Sequence, residues 1–231
     1  HDTGSAVIAV PTESDDALYI SSGTWSLLGT EIMEPICSKE SMEKNFTNEG
    51  GYAYRFRYLK NIMGLWMIQS VRHEFEDAYS FAEICRQAEE EKDFPSRVDV
   101  NDGCFLAPDN MTREIQSYCE KTGQEIPRTL GQIATVIYQS LAECYAETFT
   151  DVENLTGKKY KAVHIVGGGS NAAYLNKLTA SKSGRTVYAG PGEATAIGNL
   201  AVQMMEAGKL GSLQEARKCI CHSFGVEEYQ P

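Results

Sequence analysis

The strongest constraint on this chain is a strand–turn–helix unit that occurs twice in its last third. Lys161-Ala162-Val163-His164-Ile165-Val166 is an apolar, largely β-branched run, closed by the turn Gly167-Gly168-Gly169-Ser170 and followed by a helical stretch over 171–184. Thr186-Val187-Tyr188-Ala189 is a second β-prone run, the turn Gly190-Pro191-Gly192 follows, and 193–208 is again helical. Strands that alternate with helices in this way pair in parallel through right-handed crossovers. The fold class is therefore α/β, and the glycine turns fall at the carboxyl ends of the strands.

Upstream, 17–20 and 25–28 are short β-prone runs separated by Ser21-Ser22-Gly23-Thr24, which reads as a hairpin. A third strand is expected over 54–59, where alternation puts three aromatics on one face and Arg55 and Arg57 on a wet face. Antiparallel strands joined to the β-α-β-α succession predict a mixed sheet flanked by helices. Between these strands, 35–51 is polar and reads as a long surface connection, a candidate lid. From Ile62 the apolar spacing predicts one helix to about Gln87, with Asn61 as its N-cap, and the charged segment 89–95 ends it in a loop. After Pro127, Thr129 and Gln132 form a capping-box pair ahead of Leu130, Ile133, Ile137, Leu141, Tyr145 and Phe149, and Gly157 is the natural stop. No internal repeat or linker divides the 231 residues.

Composition narrows the partners. Lys and Arg total 21 against 32 Asp and Glu, a net charge of -11, which repels phosphate backbones and argues against nucleic acid. No apolar run reaches the length of a membrane span and no signal pattern opens the chain, so neither a membrane nor secretion is expected. Seven scattered cysteines, an odd number, read as reduced, mostly buried thiols of a cytoplasmic protein. Cys219-Ile220-Cys221-His222 lacks a second pair with the spacing of a structural zinc site, so no metal is assigned to it. The chain opens on His1, directly on a polar motif, as a piece of a longer protein would.

The candidate site residues each have two readings. Glycines between a strand and a helix let backbone N–H groups approach a phosphate, and they also make plain turns. Residues 167–172 fit G-x-G-x-x-A, the pattern of an NAD-binding Rossmann protein, but Tyr188, Ala189 and Gly190 occupy the positions where a ribose-binding acid is expected. His1-Asp2-Thr3 joins an imidazole, a carboxylate and a hydroxyl that suit a sugar hydroxyl and its proton, although a frayed terminus is the plainer reading. Ser22-Gly23-Thr24 is a turn whose hydroxyls could meet phosphate, and Gln69 lies either on a solvent edge or in a cleft.

Five segments in order carry a resemblance: His1-Asp2-Thr3-Gly4-Ser5-Ala6-Val7, Ser22-Gly23-Thr24-Trp25-Ser26, 59–66 (LKNIMGLW), Gly167-Gly168-Gly169-Ser170-Asn171, and 190–199 (GPGEATAIGN). Together they resemble the carboxy-terminal half of the FGGY carbohydrate kinases over nearly the whole chain. The resemblance implies an actin-like, ribonuclease H-like ATPase domain over 1–231 that faces an amino-terminal domain, absent from this chain, across a cleft where sugar and ATP meet. It implies Asp2 as the catalytic base, His1, Asp2, Thr3 and Asn61 as sugar contacts, and Thr24, Gln69 and Gly167 as ATP contacts. It further implies MgATP as phosphoryl donor, with magnesium ligands mainly in the absent half, and a ketose, L-rhamnulose, as acceptor. Phosphoryl transfer needs positioning, charge neutralisation and a base, and a carboxylate with a glycine-lined phosphate site supplies two of these. A non-catalytic actin-like module that binds sugar or nucleotide is the alternative, and an NAD-binding protein the third reading.

Overall fold

The computed structural model describes residues 2–14 and 17–231. Alternation in strand β1 (Leu18–Ser22) sets the layering, because Leu18 and Ile20 point into one buried cluster and Tyr19 into another on the opposite face. Seven strands form the sheet: β1, β2 (Trp25–Ile32), β3 (Phe46–Gly50), β4 (Phe56–Met63), β5 (Ala162–Val166), β6 (Thr186–Ala189) and β7 (Glu227–Tyr229), in the order β3-β4-β2-β1-β5-β6-β7. β1, β5 and β6 run parallel as neighbours, and the remaining pairs are antiparallel. The mixed sheet is as expected, and its antiparallel half departs from the parallel order of a Rossmann domain.

Helices cover both faces. On one side lie α3 (Trp66–Glu74), α4 (Phe81–Glu90), α5 (Met111–Lys121), α6 (Leu130–Thr156) and α7 (Ala173–Ser183), packed in the larger cluster. On the other lie α1 (Asp2–Ile8), α8 (Ala194–Glu206) and α9 (Leu213–Ser223). The short α2 (Lys39–Glu43) caps the β3 edge. α6 is the organising helix: the Thr129/Gln132 capping box starts it, Gly157 at φ 69° ends it, and Ile133, Ile137, Leu141, Tyr145 and Phe149 are all buried along one stripe. At its exit the Glu153 carboxylate takes Arg185 and Lys159, each at 2.7 Å, and the Tyr160 N–H at 3.1 Å, tying α6 to the edges of β5 and β6.

Four expectations are corrected. The single helix over 62–87 is instead the end of β4, then α3 and α4, with Ser80 and Glu83 forming a capping box that restarts the helix. Asn61 is accordingly a strand residue, and Leu65 is the N-cap of α3. The candidate lid over 35–51 contains α2 and the edge strand β3, which pairs with β4 from Phe46 opposite Lys60 to Gly50 opposite Phe56. Because β3 and α1 cover it, Arg57 is 3% exposed rather than wet, ion-paired to Glu49 at 3.0 Å, whereas Tyr54 lies outside the strand and exposed. Of the seven thiols only Cys119 is buried; Cys37, Cys219 and Cys221 are exposed, the last two on the outer side of α9.

Candidate active site

Three turns meet beyond the carboxyl ends of the parallel strands, where open α/β sheets bind ligands. Ser22-Gly23-Thr24 follows β1, Gly167–Asn171 follows β5, and Gly190–Glu193 follows β6. Backbone bonds join the second turn to the third and anchor the first to the start of α3. Gly167 N–H donates to Pro191 O at 3.0 Å, Leu65 N–H to Gly23 O at 3.2 Å and Trp66 N–H to Thr24 O at 3.0 Å. Gly167 holds φ at 87°, and a Cβ there would stand 2.7 Å from Ser22 O, so only glycine lets β5 turn this close to β1.

Two cavities share this junction. A small one of about 260 Å³ is lined by Ala6, Ser21, Ser22, Gly23, Gly167, Gly168, Gly192, Glu193 and Thr195, together with Trp25 and Leu27. A more apolar one of about 250 Å³ lies beside it, between α3, α4 and the glycine loop, and is lined by Leu65, Ile68, Gln69, Phe81, Cys85 and Tyr138 with Gly23, Gly168 and Gly169. Gly23 and Gly168 line both. One compartment is thus glycine-walled with the hydroxyls of Ser21, Ser22 and Thr195, and the next is a more apolar slot with two amides, Gln69 and Asn171, in its lining. A wider groove of about 980 Å³ runs along the β3–β4 edge and α6 and contains Asn61, Lys60 and Asn101.

The sequence-predicted residues fall into these compartments unevenly. Asp2 opens α1 and is exposed, one helical turn before Ala6 on the same face, and Ala6 lines the small cavity. Thr195, on that cavity wall, donates to the Asp2 carbonyl at 3.4 Å. Thr3 is half-buried in the same turn of α1, and His1 lies outside the described residues. Gln69 and Gly167 border adjacent cavities, and Thr24 stands exposed in the turn joining them. Asn61 is not in the small cavity: it pairs across to Leu27 on β2, and Trp25 lines both the cavity and the groove that holds Asn61. Gly168, Glu193, Thr195, Phe81 and Cys85 also line the site and were not singled out as site residues. The Ser80-x-x-Glu83 signal would have separated α4 from α3 and brought Phe81 and Cys85 into view.

The profile of the FGGY family of carbohydrate kinases, C-terminal domain, matches residues 18–207. The chain belongs to the FGGY family of carbohydrate kinases. A rhamnulokinase from Halalkalibacterium halodurans is 50% identical over 229 residues, covering 99% of this chain and 49% of that protein. One from Bacillus subtilis is 46% identical over 231 residues, covering 100% and 48%. The chain spans about half the length of the curated relatives it matches. The FGGY fold recurs in a xylulose kinase from Rhodospirillum rubrum, at TM-score 0.66 and 12% identity over 100% of this chain and 46% of that one. It recurs also in a Plasmodium falciparum glycerol kinase, at TM-score 0.67 and 12% identity over 99% and 46%. In this FGGY domain the hairpin turn after β1 and the glycine turns after β5 and β6 together line one junction.

Proposed function

We propose that the chain is the nucleotide-binding, carboxy-terminal half of an ATP-dependent ketose kinase whose acceptor is L-rhamnulose, and that an amino-terminal domain of the same polypeptide completes its cleft. The observation that carries this reading is the lining of the small cavity, where Ala6 of α1, one turn after Asp2, and Thr195, which donates to the Asp2 carbonyl, join the glycine turns after β1 and β5. A carboxylate at the edge of a glycine-walled compartment suits a base beside a phosphate chain. The similarity to rhamnulokinases supports the choice of sugar, and a structural neighbour, the Plasmodium falciparum glycerol kinase, was solved with ADP.

In this reading the phosphates lie against Gly167, Gly168 and the Ser22-Gly23-Thr24 turn, and the base enters the apolar slot beside Gln69. His1, Thr3 and Asn61 hold the sugar. The sugar hydroxyl oxygen forms a bond to the γ-phosphorus as the bond from that phosphorus to the β,γ-bridging oxygen breaks, ADP leaves, and Asp2 accepts the hydroxyl proton. Magnesium would arrive with the nucleotide, its protein ligands mainly in the other half, since Glu193 is the one carboxylate in the lining of the small cavity. Closure of the two domains excludes water, so the 231-residue chain alone is expected to bind ATP or ADP without turning over sugar. We assign it to the cytoplasm on its scattered free thiols; no helix among the described residues is long and apolar enough to cross a membrane.

The test is the full-length polypeptide of the same gene, assayed for transfer from MgATP to L-rhamnulose. Asp2→Asn keeps shape but cannot take the proton, so kcat should fall by roughly 100-fold or more while KM changes much less. An unchanged kcat removes Asp2 as base. Absence of turnover in the unmodified enzyme favours the non-catalytic module, and preference for another ketose leaves the kinase reading and removes L-rhamnulose.

A further inference from the structure

We infer that Arg57 is a positioning residue for Asp2, holding the first turn of α1 in place from beneath; the inference rests on Asp2 as the base in the reading above. A charged row crosses the sheet on the α1 side. In the strand register Glu49 of β3 lies opposite Arg57 of β4, and Arg57 opposite Glu31 of β2. Glu49 ion-pairs with Arg57 at 3.0 Å, and Glu31 with Arg217 of α9 at 2.5 Å, so acid and base alternate along the row. The two arginines meet α1 at opposite ends. Arg217 donates to Val7 O and Ile8 O in its last turn. Arg57 lies under its first turn, where a Cβ on Gly4 would stand 3.8 Å from the guanidinium Cζ and 3.9 Å from Nε, ordinary contact distances.

Packing alone does not need an arginine here. Nη2 reaches Glu49 and Nε donates to Gly50 O at 3.1 Å, but Nη1 is buried with no partner among the described residues. A buried cation with idle donors is costly to desolvate, and an apolar side chain of similar length would fill the space more cheaply. Departures of this kind sit where function needs a fixed geometry. The first turn of α1 is such a place. The helix runs from Asp2 to Ile8, too short to be stable unaided, and Gly4 weakens the turn that carries Asp2. Ala6, Val7 and Ile8 anchor the other end in the core, whereas Asp2 is exposed and its carbonyl accepts from Thr195 at 3.4 Å. A planar guanidinium, fixed at two of its nitrogens by Glu49 and Gly50, gives the bare backbone at Gly4 a rigid floor. A shift of about 1 Å in a reacting group is enough to lose much of its contribution to the rate.

A double-mutant cycle between Arg57 and Asp2 in the full-length polypeptide tests this, with MgATP and L-rhamnulose as substrates. Arg57→Met alone should lower kcat by about tenfold and move either KM by less than about twofold. In the Asp2→Asn background the same change should alter kcat by less than about twofold, because no base is left to place. Equal falls in both backgrounds overturn the inference, and so does an unchanged kcat in Arg57→Met. Hydrogen exchange of the same proteins supplies a readout that needs no turnover: Arg57→Met should speed exchange over residues 2–10 by about tenfold or more and leave α9 unchanged. Faster exchange in β3 with α1 unchanged assigns Arg57 to the sheet edge and overturns the inference. If Arg57→Met does not fold, Arg57→Lys, which keeps a cation for Glu49 but not the planar fork, enters the same cycle with an expected kcat loss of about threefold and the same overturning outcomes. The reading beneath fails separately: Asp2→Asn with unchanged kcat removes the base, and exchange over α1 then decides whether Arg57 is its floor.

Discussion

Ser22 closes over Gly169: a Cβ on Gly169 would collide with the Ser22 hydroxyl and stand 3.1 Å from Leu65 Cδ1. One step back in sequence, a Cβ on Gly168 meets nothing within 4 Å, although Gly168 lines both cavities of the junction. Gly169 is therefore a packing glycine, and Gly168 faces open space at the proposed nucleotide site. Gly169→Ala should destabilise the chain by about 1–3 kcal/mol through overpacking, read by urea denaturation. Gly168→Ala should leave the denaturation midpoint in place and weaken ADP binding about tenfold by placing a methyl where the nucleotide passes. Equal ADP affinity in the Gly168 variant would remove the loop from the binding site. Gly167→Val is the poorer probe, since it forces φ at 87° and meets Ser22 O at 2.7 Å before any ligand is involved.

Gly198 sets the distance between α8 and α1. Alanine in an exposed helix would gain up to about 1 kcal/mol over glycine from propensity. Here the neighbour is the Ser5 backbone, which cannot rotate away, so overpacking wins and Gly198→Ala should cost about 1–3 kcal/mol net. Because α1 carries Asp2, the same change in the full-length enzyme should lower kcat more than it alters KM. A neutral or stabilising effect would show that α1 shifts freely.

A buried ion pair fixes the far end of the same helix. Arg217 on α9 meets Glu31 on β2 at 2.5 Å and also donates to Val7 O at 3.1 Å and Ile8 O at 3.3 Å, with the Arg217 and Glu31 side chains 3% and 8% exposed. Arg217→Met removes the ion-pair partner of the Glu31 carboxylate and the side-chain donor to Ile8 O, while Val7 O keeps its bond from Val10 N–H, and should cost about 3–5 kcal/mol. Adding Glu31→Leu removes the orphaned charge and should recover part of that loss. If the double variant is no more stable than the single one, the carbonyl bonds rather than the ion pair hold α1.

How much of this was legible in the sequence depended on whether the signal was local. α6 was readable from Thr129, Gln132 and Gly157 because caps and stops act within one turn. β5, α7, β6 and α8 were readable because glycine turns separate them. β4 and α3 merged because the apolar positions Ile62, Leu65, Trp66 and Ile68 fit a helical stripe although Ile62 still belongs to the strand. β3 was missed because Thr47, Asn48 and Glu49 are polar, as an edge strand tolerates. Within the site, the glycine turns stood out by residue type, whereas Asp2, whose plainer reading was a frayed terminus, was singled out by the family resemblance. Their convergence through Ser22, Gly169 and Pro191 rests on contacts distant in sequence, which no local pattern encodes.

Acid sensitivity should trace to His164, a lone histidine in the middle strand of the parallel set. It is 7% exposed, stacked on Tyr188 with ring centroids 5.3 Å apart, and its Nδ1 has no partner among the described residues. Burial, reinforced by the charge of Arg217, pulls its pKa from the usual 6.5 to about 4. The folded chain thus keeps the imidazole neutral while the unfolded chain protonates it below about pH 6.5. Between those values the unfolded state binds more protons, so stability is full at neutral pH and falls as pH drops from about 6.5 toward 4. By pH 5 the loss should reach about 2 kcal/mol, a melting temperature lower by about 4–8 °C. His164→Gln cannot titrate and should flatten that slope while shifting the whole curve by its own packing cost. The Glu153 carboxyl provides the control: burial would raise its pKa, but Lys159, Arg185 and the Tyr160 N–H overcome that and hold it at about 2. Its stabilisation is therefore lost only as pH falls below about 4.5, a separate and lower window. An unchanged slope between pH 6.5 and 5 in His164→Gln would remove the histidine as the source, and a slope that moves only below pH 4.5 would point to Glu153 instead.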